Sequence, residues 1–236
     1  MLKKNKCVLI ISDYHAPYNH KDSVSFLQEI KSSYKIDRVI NIGDECDFHN
    51  ISFHDSSPEL FSASDELSKA IEHLKPIYKM FPKVDVIESN HGSLIYRKQR
   101  HCGLPRNAFR SYQEILEAPK GWNWHNDLTI KLSNGELCYF HHGKTSAPAK
   151  LSKNMSMSSA QGHFHSRFEI IYWANPNGLF FDLRVGCLIH DKSLAFSYNK
   201  TTLDRPIIGV ALIINGHPKL VPMVLDKKGR WIGKLV

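Results

Sequence analysis

The sequence predicts an α/β protein, a four-layer αββα sandwich in which two mixed β-sheets pack face to face with helices outside. Short apolar runs alternate with helix-spaced segments in the first half, and Asn-Gly-type turns separate pairs of strand-like runs in the second. A chain of 236 residues also suits one core. Cys7 to Ser12 (CVLIIS) is continuously apolar, as a strand buried on both faces would be, and ends at Asp13. In Ser23 to Tyr34 the apolar residues Val24, Phe26, Leu27, Ile30 and Tyr34 fall close to helical spacing, and Arg38 to Ile42 is again strand-like, giving a β-α-β opening. Ser64 to Phe81 repeats the helical pattern through Leu67, Ala70, Ile71, Leu74, Ile77 and Tyr78, with Pro76 expected to disturb or shorten it. Val84 to Glu88 makes a third strand.

Downstream, Ser133-Asn134-Gly135, Asn175-Pro176-Asn177-Gly178 and Asn215-Gly216 predict three hairpins, since Asn and Gly tolerate the positive φ of tight turns. Leu151 to Gln161 (LSKNMSMSSAQ) is expected to be a mobile loop. The C-terminal hairpin, Ile207 to Val224, and the tail through Arg230-Trp231-Ile232-Gly233 are expected to complete the second sheet. With no linker, repeat or low-complexity stretch, residues 1–236 are expected to form one domain.

A hydrophobic fraction of 42% with 23% charged residues excludes a disordered chain. No apolar run approaches the roughly 18 residues of a membrane span, and the basic start leads into a strand rather than a signal peptide, so a cytoplasmic location is expected. The five cysteines (Cys7, Cys46, Cys102, Cys138, Cys187) are scattered without Cys-x-x-Cys spacing, which argues against a disulfide framework or a thiolate zinc site. A formal charge of +8 favours phosphate-bearing partners without naming one.

Metal-type ligands fall at the ends of strands. Asp13 and His15 follow the first, Asp44 the second and Asn90-His91 the third, where open α/β sheets place their binding crevices. His141-His142-Gly143 and Gly162-His163-Phe164-His165 follow in the β-rich half. Isolated histidines (His54, His73, His101, His125, His190, His217) are expected at the surface or hydrogen-bonded in the core.

In order, these segments read Asp-x-His, Gly-Asp-x-x-Asp (Gly43, Asp44, Asp47), Asn-His, His-Gly and Gly-His-x-His. The series, from Asp13 to His165, resembles the calcineurin-like metallophosphoesterase superfamily, and Ser12 to Tyr18 looks like members common in bacteriophage and bacterial genomes; for a phage protein the expected location is the host cytoplasm. One departure is Ser89, where the family usually has Gly before Asn-His. The resemblance implies that Asp13, His15 and His165 hold one metal, that Asn90, His142 and His163 hold a second, and that Asp44 bridges them. His142 rather than His141 is chosen because it precedes Gly143. Such mixed ligands suit manganese foremost, with iron, zinc or nickel as alternatives, and two cations would activate a water for attack on phosphorus. The resemblance makes His91 the general acid, and Asp47 a partner that orients it or stabilises its protonated form.

Arg97, Lys98, Arg100 and, further on, Arg106 are candidates to bind substrate phosphate, with a solvated helix face as the plain alternative. Tyr112, Trp122 and Trp124 are candidates to stack a base, with core packing expected for at least one Trp. Residues 91–125 would then be a substrate-selecting rim. The expected function is a dinuclear phosphoesterase acting on a phosphorylated small molecule, a 5′-nucleotide ahead of DNA or RNA. A phosphoprotein phosphatase, a non-catalytic scaffold of the same fold and a nucleic-acid binder are the alternatives.

Overall fold

The computed structural model describes residues 5–53, 59–190, 192–193 and 203–236. His54 lies outside the described residues. Two mixed sheets form the centre of the molecule. The first contains β1 (Cys7–Ile11), β2 (Arg38–Asn41), β3 (Val84–Ile87), β4 (Trp122–His125), β10 (Gly209–Ile214) and β11 (His217–Pro222), in the order β11-β10-β1-β2-β3-β4. The second contains β5 (Leu128–Lys131), β6 (Leu137–His141), β7 (Ser158–Gln161), β8 (Phe168–Asn175) and β9 (Gly178–Val185), in the order β5-β6-β7-β9-β8.

Alternation along β1 shows how the layers are built. Val8 and Ile10 join Ile40, Ile87, Phe140, Leu183 and Ala211 in the core between the sheets. Leu9 and Ile11 point the other way, onto Phe26, Leu27 and Ile30 of α1 (Ser23–Ser33) and Ala70, Leu74 and Ile77 of α2 (Ala63–Met80). A strand apolar on both faces is stable only between two layers. The same holds for β10, which is why the C-terminal hairpin pairs antiparallel with β1 and completes the first sheet, not the second as the sequence suggested. All three expected hairpins form, as β5–β6, β8–β9 and β10–β11.

Two further expectations are corrected. The helix α2 runs through Pro76 to Met80. Pro76 is exposed, so the carbonyl that loses its intrahelical donor lies on a face that water can reach. Leu151 to Gln161 is not a loop: it forms α5 (Lys150–Met155) and then β7, a central strand parallel to β6 and β9. Its polar residues are buried and bonded, with Ser159 Oγ donating to Asp182 Oδ1 at 2.8 Å and Ser158 Oγ accepting from Phe181 N at 3.2 Å. The remaining helices are α3 (Leu94–His101) and α4 (Tyr112–Ile115), the latter opened by a Ser111–Glu114 capping box. Among the described residues, no helix is long and apolar enough to cross a membrane.

Candidate metal centre

Parallel pairing of β1, β2 and β3 brings three of the chemistry-bearing loops to one end of the first sheet, and the loops after β6 and β7 reach it from the second. The ladder continues into the loops, with Asp13 N donating to Gly43 O at 3.1 Å and His15 N to Asp44 O at 2.8 Å. Asp13, His15, Asp44 and His163 have φ of 51°, 50°, 53° and 68°. This left-handed region is uncommon for side-chain-bearing residues and clusters at functional sites. Two glycines let the loops close: a Cβ at Gly162 would lie 1.8 Å from Ser12 Oγ, and one at Gly43 2.5 Å from Ser89 Cβ.

Among the described residues, three overlapping clusters of potential ligand atoms result: Asp13, His15 and His165; His15, Asp44 and His91; and Asp44, His142 and His163. Asp13 Oδ1 is 3.1 Å from His165 Nε2 and 3.7 Å from His15 Nε2. Asp44 Oδ2 lies between the two groups, 3.5 Å from His15 Nε2 and 3.1 Å from His142 Nε2. Asn90 Oδ1 is 2.7 Å from His142 Nε2. His163 joins through its ring, 5.1 Å from that of His142, and its main-chain N donates to Asp13 Oδ2 at 2.9 Å. His141 points away, its Nδ1 accepting from Gly143 N at 3.1 Å.

Surrounding groups fix the ring orientations. His142 Nδ1 donates to Ile42 O at 2.6 Å, and His15 Nδ1 bonds Asp47 Oδ2 at 2.7 Å. His91 Nδ1 donates to the main-chain carbonyl of Asp47, so Asp47 holds His91 through its backbone and His15 through its carboxylate. Ser12 Oγ donates to Asp13 Oδ2. Ser89 Oγ accepts from Asp44 N and Gly92 N, both at 3.0 Å, so this serine ties the loop after β3 to the loop after β2. From the sequence, Ser12 reads only as the end of a strand and the start of the Ser12–Tyr18 stretch, and Ser89 only as a departure from the expected Gly.

Burial opposes ionisation of Asp13 and Asp44, but the imidazoles around them prevail and hold both carboxyls below the usual carboxylate range. Burial likewise opposes charging of His142, and the Asp44 carboxylate overcomes it, raising the imidazole to about 9. These residues fit divalent cations by their donor chemistry. Nδ1 of His142 donates to Ile42 O and its Nε2 faces oxygens of Asn90 and Asp44, so a divalent cation would take the place of the Nε2 proton and meet a nitrogen lone pair and two oxygens. Acceptors converging on acceptors are satisfied by a cation between them, and imidazole with carboxylate and amide oxygen suits transition metals.

The cations predicted to bind phosphate are placed on and after α3. Arg97 and Lys98 sit over the Phe53 ring, Cζ and Nζ at 4.9 and 4.2 Å from its centroid, while Arg100 is exposed. Arg106 stacks on Tyr96 at 4.5 Å and lines an adjoining cavity with Tyr112 and Trp124. Trp122 is core, its Nε1 donating to Phe81 O at 2.9 Å. His73 and His125 are hydrogen-bonded to Asn19 and Asp85.

No protein-family model and no curated sequence matches the chain. Among solved structures it is similar to vacuolar protein sorting 29 from Cryptosporidium parvum, with 15% identity, a TM-score of 0.52, and coverage of 99% of this chain and 96% of that one. It is also similar to zinc-complexed Vps29 from Entamoeba histolytica (14% identity, 92% and 93% covered, TM-score 0.47). A metallophosphoesterase from Sphaerobacter thermophilus matches at 13% identity, with 91% and 86% covered and a TM-score of 0.41. At such identities the likeness speaks for architecture alone, and the first alignment spans nearly all of both chains. The two-sheet α/β fold of this chain is the fold of Vps29 from Cryptosporidium parvum.

Proposed function

We propose that the chain is a dinuclear metal-dependent phosphoesterase that hydrolyses the phosphomonoester of a 5′-nucleotide. The observation that carries this is the Asp44 carboxylate, buried between the imidazoles of His15 and His142 and shared by two of the three ligand clusters. A carboxylate so placed can offer oxygen to two cations. Asp13, His15 and His165 would hold one, and Asn90, His142 and His163 the other, with manganese the first choice. Bound there, the pair would activate a water and neutralise charge on the phosphate.

The chain's own contribution to proton transfer falls to His91. Its Nδ1–H is committed to the Asp47 carbonyl, so Nε2 is the atom that gives its proton to the leaving oxygen. The imidazole is about a quarter exposed, which leaves it open to substrate. Residues 1–236 act as one domain, with residues 91–125 forming the rim that selects substrate and Arg106 its phosphate or ribose contact.

Phosphate release tests this directly, measured with manganese on a panel of 5′-nucleotides, with bis(nitrophenyl) phosphate and single-stranded DNA alongside and metal-free protein as control. Manganese-dependent release from the nucleotides is expected. Cleavage of the diesters instead would make the protein a nuclease or phosphodiesterase, and silence on every substrate with metals bound would refute hydrolysis.

A further inference from the structure

We propose that the cavity beside the metal centre is a nucleobase pocket, in which Glu45 and Tyr112 read the hydrogen-bonding edge of the base and Trp124 provides a stacking wall. The proposal rests on the nucleotide reading above and assigns it a recognition site. The cavity measures about 360 Å³, within the range of roughly 300–1,000 Å³ for small-molecule sites. Ser89 and Gly92 line it and immediately flank Asn90 and His91, so the cavity and the metal centre share one loop as a wall.

The polar groups in the lining are incomplete. Glu45 is 1% exposed; its Oε1 accepts from Trp124 Nε1 at 3.2 Å, while Oε2 has no hydrogen-bond partner. Tyr112 is 7% exposed, and its hydroxyl also lacks a partner. The two groups interact with each other as hydrogen-bonding neighbours, but the contact falls outside normal geometry and leaves each with capacity to spare. Native interiors seldom leave such groups unsatisfied, and a cluster of them in a cavity calls for a ligand that completes it. Burial raises the Glu45 carboxyl to about 7, so when ionised Oε2 accepts an N–H, and the hydroxyl beside it can donate to a ring nitrogen.

The walls restrict the ligand further. The Tyr112 and Trp124 rings meet edge to face at 5.7 Å, and Tyr96 carries the Arg106 guanidinium over its face at 4.5 Å. Aromatic and guanidinium planes favour a flat π-system. A purine carrying an amino group supplies both the flat face and the paired donor and acceptor, whereas a sugar or an aliphatic chain lacks the first.

Calorimetric titration of the full-length, metal-free protein with adenosine, guanosine and purine riboside tests the pocket without phosphate or metal. Adenosine or guanosine is expected to bind with Kd of about 1 mM or tighter, and purine riboside, lacking the amino group, about tenfold more weakly. Tyr112→Phe and the rim variant Arg106→Ala, the latter remote from the core, should each weaken binding several-fold. The proposal is overturned if neither nucleoside binds at that level, or if both variants bind as the unaltered protein does. Absent nucleoside binding with intact phosphate release from nitrophenyl phosphate would remove the pocket and leave hydrolysis standing. Binding without any hydrolysis would do the reverse.

Discussion

Ser89 contributes to the centre without being a ligand. Its hydroxyl holds the amides of Asp44 and Gly92, and the residue is only 6% exposed, so Ser89→Ala would strand two N–H groups away from water. A loss of about 1–3 kcal/mol in urea unfolding is expected. The His91→Ala variant should behave differently. It should keep both metals while turnover on alkyl phosphates falls by about 10²–10⁴, with nitrophenyl esters suffering less because their leaving group needs no proton. Loss of metal from that variant would contradict the separation of acid from ligands. Aspartate, histidine and asparagine at strand ends were legible in the sequence because few other roles explain those residue types in that order. The serines were not, since a hydroxyl gains meaning only from its partners, and Ser89 finds one of them 45 positions away at Asp44.

Most strands and helices followed from hydrophobic periodicity, and the misreadings have specific causes. β7 looked like a loop because its residues are polar, yet all four are buried, and Asp182 supplies the bonds that Ser159 and Gln161 need. Asp182 is itself paired with buried Arg184, whose Nη atoms donate to the carbonyls of Thr145 and Ala147 after the His142 loop. The tail after β11 is pinned by another ion pair. Asp22, before α1, accepts from Arg230 Nε at 2.8 Å, from Arg230 Nη2 at 2.5 Å and from Trp231 N at 3.0 Å. The Arg230 bond, against the cost of burial, lowers the Asp22 carboxyl to about 2. A depressed carboxylate stabilises the fold above its ordinary pKa of about 4, and the contribution disappears as pH falls from there through about 2. Asp22→Asn should therefore melt below the unaltered protein at pH 7, with the gap closing near pH 2. A gap that persists at pH 2 would mean that the carboxylate's charge is not what matters.

For the molecule as a whole, the two sheets do two things at once. Their facing apolar surfaces make the core, and the ends of β1, β2, β3, β6 and β7 bring candidate metal-binding side chains from five segments to one point that no single segment could build. The layered architecture was legible from alternating apolar segments and turn chemistry. The placement of the C-terminal hairpin in the first sheet was not, because local pattern marks a hairpin but not its neighbour. The proposed chemistry depends most on Asp44 joining two cation sites. The most direct measurement is calorimetric titration of manganese into metal-free protein, for the natural chain and for Asp44→Asn. Two equivalents per chain, reduced or strongly weakened in Asp44→Asn, are predicted. No manganese bound by the natural chain, or two equivalents held with undiminished affinity by Asp44→Asn, would contradict the bridged centre.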